Sequence, residues 1–127
     1  MIDLISNKIR FDDEGDVRRA VRELGGALLY WIEPSAGSTN GLPDCFYMRN
    51  GITIFMELKC GHFAKNELRF TVRPAQRRFA RAALLAAVSV QFVVGVRSTR
   101  TGYILPTNEV TLSGRVPIAD LPKPWGL

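Results

Sequence analysis

The spacing of hydrophobic and polar positions changes period along the chain, and the changes mark out an α-β-β-β-α-β-β order. Val17, Val21 and Leu24 recur at i, i+4 and i+7, the inward stripe of a helix, while Arg18, Arg19 and Arg22 lie off it. Asp12 or Asp13 can cap its start, and Gly25-Gly26 supplies a usual stop. Glu14, three positions before Val17, points to the side of the stripe near its end, and Glu23 points away. Ala27 to Ile32 is apolar and aromatic enough for a buried strand that Pro34 ends, and Ser35 to Gly41 reads as a polar loop. Pro43 to Arg49 and Ile52 to Lys59 both read as strands, with only Asn50-Gly51 between them; this is a strong hairpin signal. Cys60 to Glu67 reads as a loop. A second helix opens on Pro74 and runs to about Ala87, with Phe79, Ala82, Ala83 and Ala86 as a thin apolar stripe. Val90 to Val96 follows as an apolar strand. From Pro106 onward, Pro117, Pro122 and Pro124 with Trp125 suggest an extended tail packed on the surface by its aromatic residue.

The hairpin turns this pattern into chemistry. In a two-residue type I′ turn Arg49 faces Ile52, so Phe46 faces Phe55 and Asp44 faces Glu57. Two carboxylates whose Cβ atoms stand about 4.5–5.5 Å apart repel each other. A divalent cation held by both offsets that repulsion, and Mg²⁺ suits a site with few carboxylates because it keeps several of its waters. Lys59, two residues past Glu57, falls on the same face by the period of two. The set fits phosphodiester hydrolysis: Asp44 and Glu57 hold the ion, and Lys59 orients or helps deprotonate a water and balances phosphate charge. The same spacing also fits a plainer arrangement, with Asp44 opening a strand and Glu57–Lys59 as an exposed ion pair on a half-buried sheet.

Length and composition narrow the picture. The 127 residues fit one domain, with a core over about residues 12–106, and 46% hydrophobic residues suffice for it. A net charge of +5, mostly from arginine, points to an anionic partner, with nucleic acid the default candidate. Two cysteines and the lack of a signal-like N-terminal stretch lead us to expect a reducing, cytoplasmic setting. No apolar run reaches the roughly 20 residues of a membrane span. Cys45 and Cys60 point away from the face of Asp44 and Lys59 and read as buried thiols rather than zinc ligands. His62, the single histidine, reads as a surface residue. No glycine loop of the kind that cradles a nucleotide or an organic cofactor is present.

Pro43-Asp44 followed by Glu57-Leu58-Lys59 resembles the signature of the PD-(D/E)xK nuclease superfamily. Gly41-Leu42-Pro43-Asp44 and Arg73-Pro74-Ala75-Gln76-Arg77-Arg78-Phe79 make the chain most similar to its VRR-NUC and phage or archaeal Holliday-junction-resolvase group, over about Asp12 to Val96. The resemblance implies a restriction-endonuclease-like core, an α/β fold with a mixed central sheet flanked by helices. It also implies a metal-dependent endodeoxyribonuclease acting on branched DNA as a homodimer. It adds Gln76 at the start of the second helix to the site, and an upstream acidic ligand for which Glu14 is the best match, with Asp13 and Asp16 as competitors. Arg73, Arg77, Arg78 and Arg81, with Lys65 in the preceding loop, are expected to meet the DNA backbone. A nuclease fold that binds DNA or a protein without cutting is the alternative, and flap or single-strand cleavage is a further one.

Overall fold

The computed structural model describes residues 6–32 and 41–126. Helix α1 (Glu14–Gly25) starts as its sequence suggests: Asp13 accepts a hydrogen bond from the Asp16 amide, and the Asp16 carboxylate accepts from the Asp12 and Asp13 amides. Val17, Ala20 and Val21 are fully buried on its inward face. The buried strand expected over Ala27 to Ile32 is much reduced. Gly26–Leu28 forms a turn of 3-10 helix, and only β1 (Tyr30–Trp31) pairs, at the edge of the sheet, with Leu28 and Tyr30 exposed. Aromatic content overstated its burial, because an edge strand leaves one side without a neighbour. Pro34 and most of the loop expected before Gly41 lie outside the described residues.

The hairpin forms in the expected register. Strands β2 (Cys45–Arg49) and β3 (Ile52–Ala64) pair Arg49 with Ile52 and Phe46 with Phe55, and Asn50 and Gly51 take φ of 51° and 76°. Strand β3 does not stop at Lys59. The loop expected from Cys60 to Glu67 is the end of β3 and a second tight turn, Lys65-Asn66 at φ 51° and 62°, leading into β4 (Glu67–Arg69). Asn tolerates that conformation, but Lys gives no local signal for it.

Helix α2 (Pro74–Leu85) buries Ala80 and Ala83 and half-buries Phe79, whereas Ala82 and Ala86 of the expected stripe are exposed. The inward face is rotated because Gln76, seven positions before Ala83, shares it and points at β3. Strand β5 (Ser89–Val96) runs parallel to β3, and β6 (Gly102–Pro106) returns antiparallel beside β5. The stretch after Pro106 is more than a tail: it forms α3 (Glu109–Ser113) and β7 (Arg115–Pro117), which pairs with β4. The last turn of chain packs by its tryptophan as expected, with Trp125 buried edge-on against Phe11.

Among the described residues seven strands form one sheet, antiparallel except for the β3–β5 pair, with a core on each face. Alternate residues of β3 serve different faces. Met56 and Leu58 join Val17, Val21 and Trp125 under α1, while Phe92 and Val94 of β5 pack with Ala80 and Ala83 of α2. Among the described residues no helix is long and apolar enough to cross a membrane.

Candidate metal and phosphodiester site

Backbone groups alternate in direction along a strand, so β2 and β4 lie on the same edge of β3. Strand β2 pairs with β3 as far as Met56, and β4 begins at His62. Between them β3 crosses a gap, and the candidate site is built there. Asp44 stands at the near end of the gap. The sequence pattern puts it in the ladder opposite Glu57, but the ladder ends at Cys45–Met56 and Asp44 forms a bend. The bend points its carboxylate along the open edge, where Oδ2 accepts from the Leu58 amide at 2.8 Å and Oδ1 accepts from Arg18 Nη2 at 2.5 Å. The side chain thus satisfies one backbone donor that the missing strand would have taken.

Glu57 and Lys59 project from β3 at the same gap, each only 4% exposed. An exposed ion pair is therefore not what they form. Gln76 reaches between them from the first turn of α2: its Nε2 donates to Glu57 Oε1 at 2.8 Å, and its Oε1 accepts from Lys59 Nζ at 2.7 Å and from the Arg73 amide at 3.0 Å. Each end of the amide meets a complementary partner, which settles its orientation. Lys59 Nζ and Glu57 Oε1 themselves stand 3.8 Å apart. Gly41 locks the two halves of the site together. A Cβ there would lie 2.3 Å from the Ala75 carbonyl, so the segment leading to Asp44 rests directly on the backbone beside Gln76.

Burial pushes the Glu57 carboxyl up to about 8; the charge of Asp44 and a hydrogen bond to it push the same way, against the pull of Lys59. Glu57 therefore keeps its proton near neutrality and donates it toward Asp44. Glu14 belongs to the same electrostatic unit. Desolvation raises its pKa, Lys59 opposes the rise and Asp44 adds to it. Glu14, Lys59, Thr71, Arg73 and Arg97 line one cleft of about 230 Å³. Of the competing acids, Asp13 and Asp16 are engaged in capping α1, although Asp13 also touches this cleft.

Among the described residues no three His, Cys, Asp or Glu side chains are grouped closely enough to enclose an ion. Mg²⁺ asks for less than that, one or two carboxylates with water completing its shell. Asp44 and Glu57 are the two carboxyl groups that could hold such an ion, which would have to displace Arg18 or the Leu58 amide from Asp44, and Glu14 lines the neighbouring cleft.

The arginines expected to contact DNA divide. Arg73 borders the cleft, Arg78 is exposed, and Lys65 is exposed at the tip of the β3–β4 turn. Arg77 instead donates to the Leu112 and Val72 carbonyls, and Arg81 makes a bidentate pair with Glu109 at 3.1 and 2.8 Å. Both fasten α3, an element the sequence pattern did not disclose, so the expected strip of Arg77, Arg78 and Arg81 is not a free basic surface. Cys45 is buried, its thiol pushed up to about 12 by burial, whereas Cys60 is only half-buried and lines the cleft. His62 is exposed, on β3 rather than in a loop.

Three residues of the site were missed from sequence. Arg18 lies four positions after Glu14 on the same helical face, a spacing that could have disclosed it, and its guanidinium stacks 5.2 Å from the centre of the Trp31 ring. Thr71 and Arg97 gave no such sign. They reach the cleft only because β4 and β5 flank β3. No protein-family model and no curated protein matches the chain.

Proposed function

We propose that this chain is a Mg²⁺-dependent endonuclease that hydrolyses DNA phosphodiester bonds, acting as a homodimer on branched DNA. The observation that carries the reading is the Asp44–Glu57–Lys59–Gln76 cluster at the gap in β3, in which a buried carboxyl group and a buried lysine meet a second carboxylate and an amide. Bringing a second carboxyl group beside a buried one is costly, and carboxyl groups shifted in this way are common where a site has chemistry to perform. Asp44 and Glu57 would hold the ion, with Glu14 as a third acidic neighbour. Bound there, Mg²⁺ supplies a Lewis acid that lowers the pKa of water and neutralises phosphate oxygens.

The chain's own groups account for the rest. Gln76 holds the Lys59 ammonium beside Glu57, so its position is set before substrate arrives. Lys59 orients the attacking water and balances charge on the pentavalent transition state. Arg73, at the mouth of the cleft, meets a phosphate oxygen of the bound strand. The preference for a four-way junction and for a dimer rests on the likeness of Gly41 to Asp44, Glu57 to Lys59 and Arg73 to Phe79 to resolvase-type PD-(D/E)xK enzymes.

One observation favours the non-catalytic reading, in which the fold binds DNA or a partner without cutting. Arg18 already occupies one oxygen of Asp44, the position a cation would need. The two readings part in a single assay. A labelled four-way junction is incubated beside linear duplex, flap and single strands, with Mg²⁺ or Mn²⁺, using wild type and Asp44→Ala. Paired symmetric nicks in the junction that vanish in the variant support the resolvase. Cleavage of flaps or single strands keeps the nuclease and discards the resolvase, and intact substrates with retained binding leave only the binding protein.

A further inference from the structure

The cleft beside Lys59 has a neighbour. A second cleft of about 280 Å³ shares Cys60, Thr71 and Arg97 with it, so the two lie side by side on the β3–β4 side of the gap. The chemistry changes from one to the other. Near Lys59 the wall is mixed, with Asp13 and Glu14 facing Lys59, Arg73 and Arg97. Farther on it carries His62, Arg69, Thr71, Arg97, Ser113 and Arg115, and no carboxylate lines it. Arg69 is paired with Glu67 at 2.9 Å, but Arg97 and Arg115 are exposed and make no ion pair among the described residues. Neither residue was singled out by the sequence. They meet because β5 ends beside Gly61 and β7 runs along β4, with Arg115 opposite Arg69.

We infer that this second cleft is a phosphate-binding subsite that carries the nucleic-acid backbone away from the reacting phosphodiester toward β7, with Arg97 and Arg115 as its principal ligands. The inference rests on reading the Glu57–Lys59 cleft as a nuclease site, since that reading supplies the phosphodiester strand. Two guanidinium groups without a carboxylate partner, flanked by the Thr71 hydroxyl, match the oxygens of a phosphate chain; the Ser113 hydroxyl beside them is engaged by the Val110 carbonyl. Contacts made to phosphate carry no sequence information, so the subsite adds affinity and direction without sequence choice. A substrate that ends at the scissile bond on this side loses the subsite, and the enzyme therefore prefers a polynucleotide that continues through it.

Fluorescence anisotropy on short labelled duplex and single-stranded DNA, in EDTA and over a range of salt, tests this. Arg97→Ala with Arg115→Ala weakens binding and lowers the salt slope by about 1 for each phosphate that is no longer neutralised. Arg97→Lys with Arg115→Lys keeps most of the slope, because the charge remains. Arg49→Ala, at the tip of the β2–β3 hairpin, leaves it unchanged. Thermal melting shows whether each variant is folded. A folded double-alanine variant with wild-type affinity and slope overturns the subsite even if the wild type cuts DNA. A lowered slope in a protein that cuts nothing supports the subsite while the nuclease reading falls.

Discussion

Replacing Glu57 by Gln tests whether the site is a carboxylate pair waiting for a cation. Burial and Asp44 lift the Glu57 carboxyl from an ordinary 4.5 to about 8, so the folded chain binds this proton more tightly than the unfolded chain does. Stability from this group is therefore fully present below about pH 4.5 and is lost as pH rises through about 8. At about 1.4 kcal/mol per pH unit, the metal-free protein gives up about 4 kcal/mol between pH 4.5 and roughly pH 7.5. Glutamine is the neutral isostere. Its carbonyl can accept from Gln76, and its amide can donate to Asp44 as the protonated acid does. Glu57→Gln is expected to match wild type near pH 4.5 and to exceed its stability by up to about 4 kcal/mol near pH 7.5, while losing all cleavage. Urea unfolding in EDTA across this pH range, followed by the fluorescence of Trp31 and Trp125, measures the difference. Added Mg²⁺ near pH 8 should stabilise wild type and leave the variant alone. Parallel pH profiles for the two proteins would refute the reasoning, because Glu57 would then carry no proton linkage.

Gly41→Ala drives a methyl into the Ala75 carbonyl at a φ of 73°, which should shift the start of α2 and part Gln76 from Lys59. Its cleavage rate should fall by more than its melting temperature suggests, and equal loss in both would count against Gly41 as the lock of the site. Trp125→Ala should cost about 3–5 kcal/mol in urea unfolding by emptying the space against Phe11. Trp125→Phe should cost far less, because the buried Nε1 has no hydrogen-bond partner to lose. Arg77→Ala should loosen α3 by leaving the Leu112 carbonyl unpaired, which proteolysis near Glu109–Ser113 would detect.

What was legible in the sequence came from short-range chemistry. Asn50-Gly51 admits few backbone conformations, and once the turn type is set the register of the whole β2–β3 hairpin follows, with Glu57 and Lys59 on one face. The capping acids of α1 and its buried valines were readable for the same local reason. Other features depend on residues far apart in the chain. The second hairpin, α3 and β7 are stabilised mainly by their pairing with β3, β4 and α2, and their own residues carry weak signals. The gap in β3 exists only because β2 ends before β4 begins, and it turns a ladder position into a bend that frees the Asp44 carboxylate. The sequence by itself determined that Asp44, Glu57 and Lys59 come together, since turn geometry and strand period act over a few residues, whereas Gln76 entered only through the family resemblance. The tertiary structure alone decided how deeply they are buried and which arginines are spent on α3 or left facing the clefts. Burial and charge pairing depend on what the rest of the chain brings alongside.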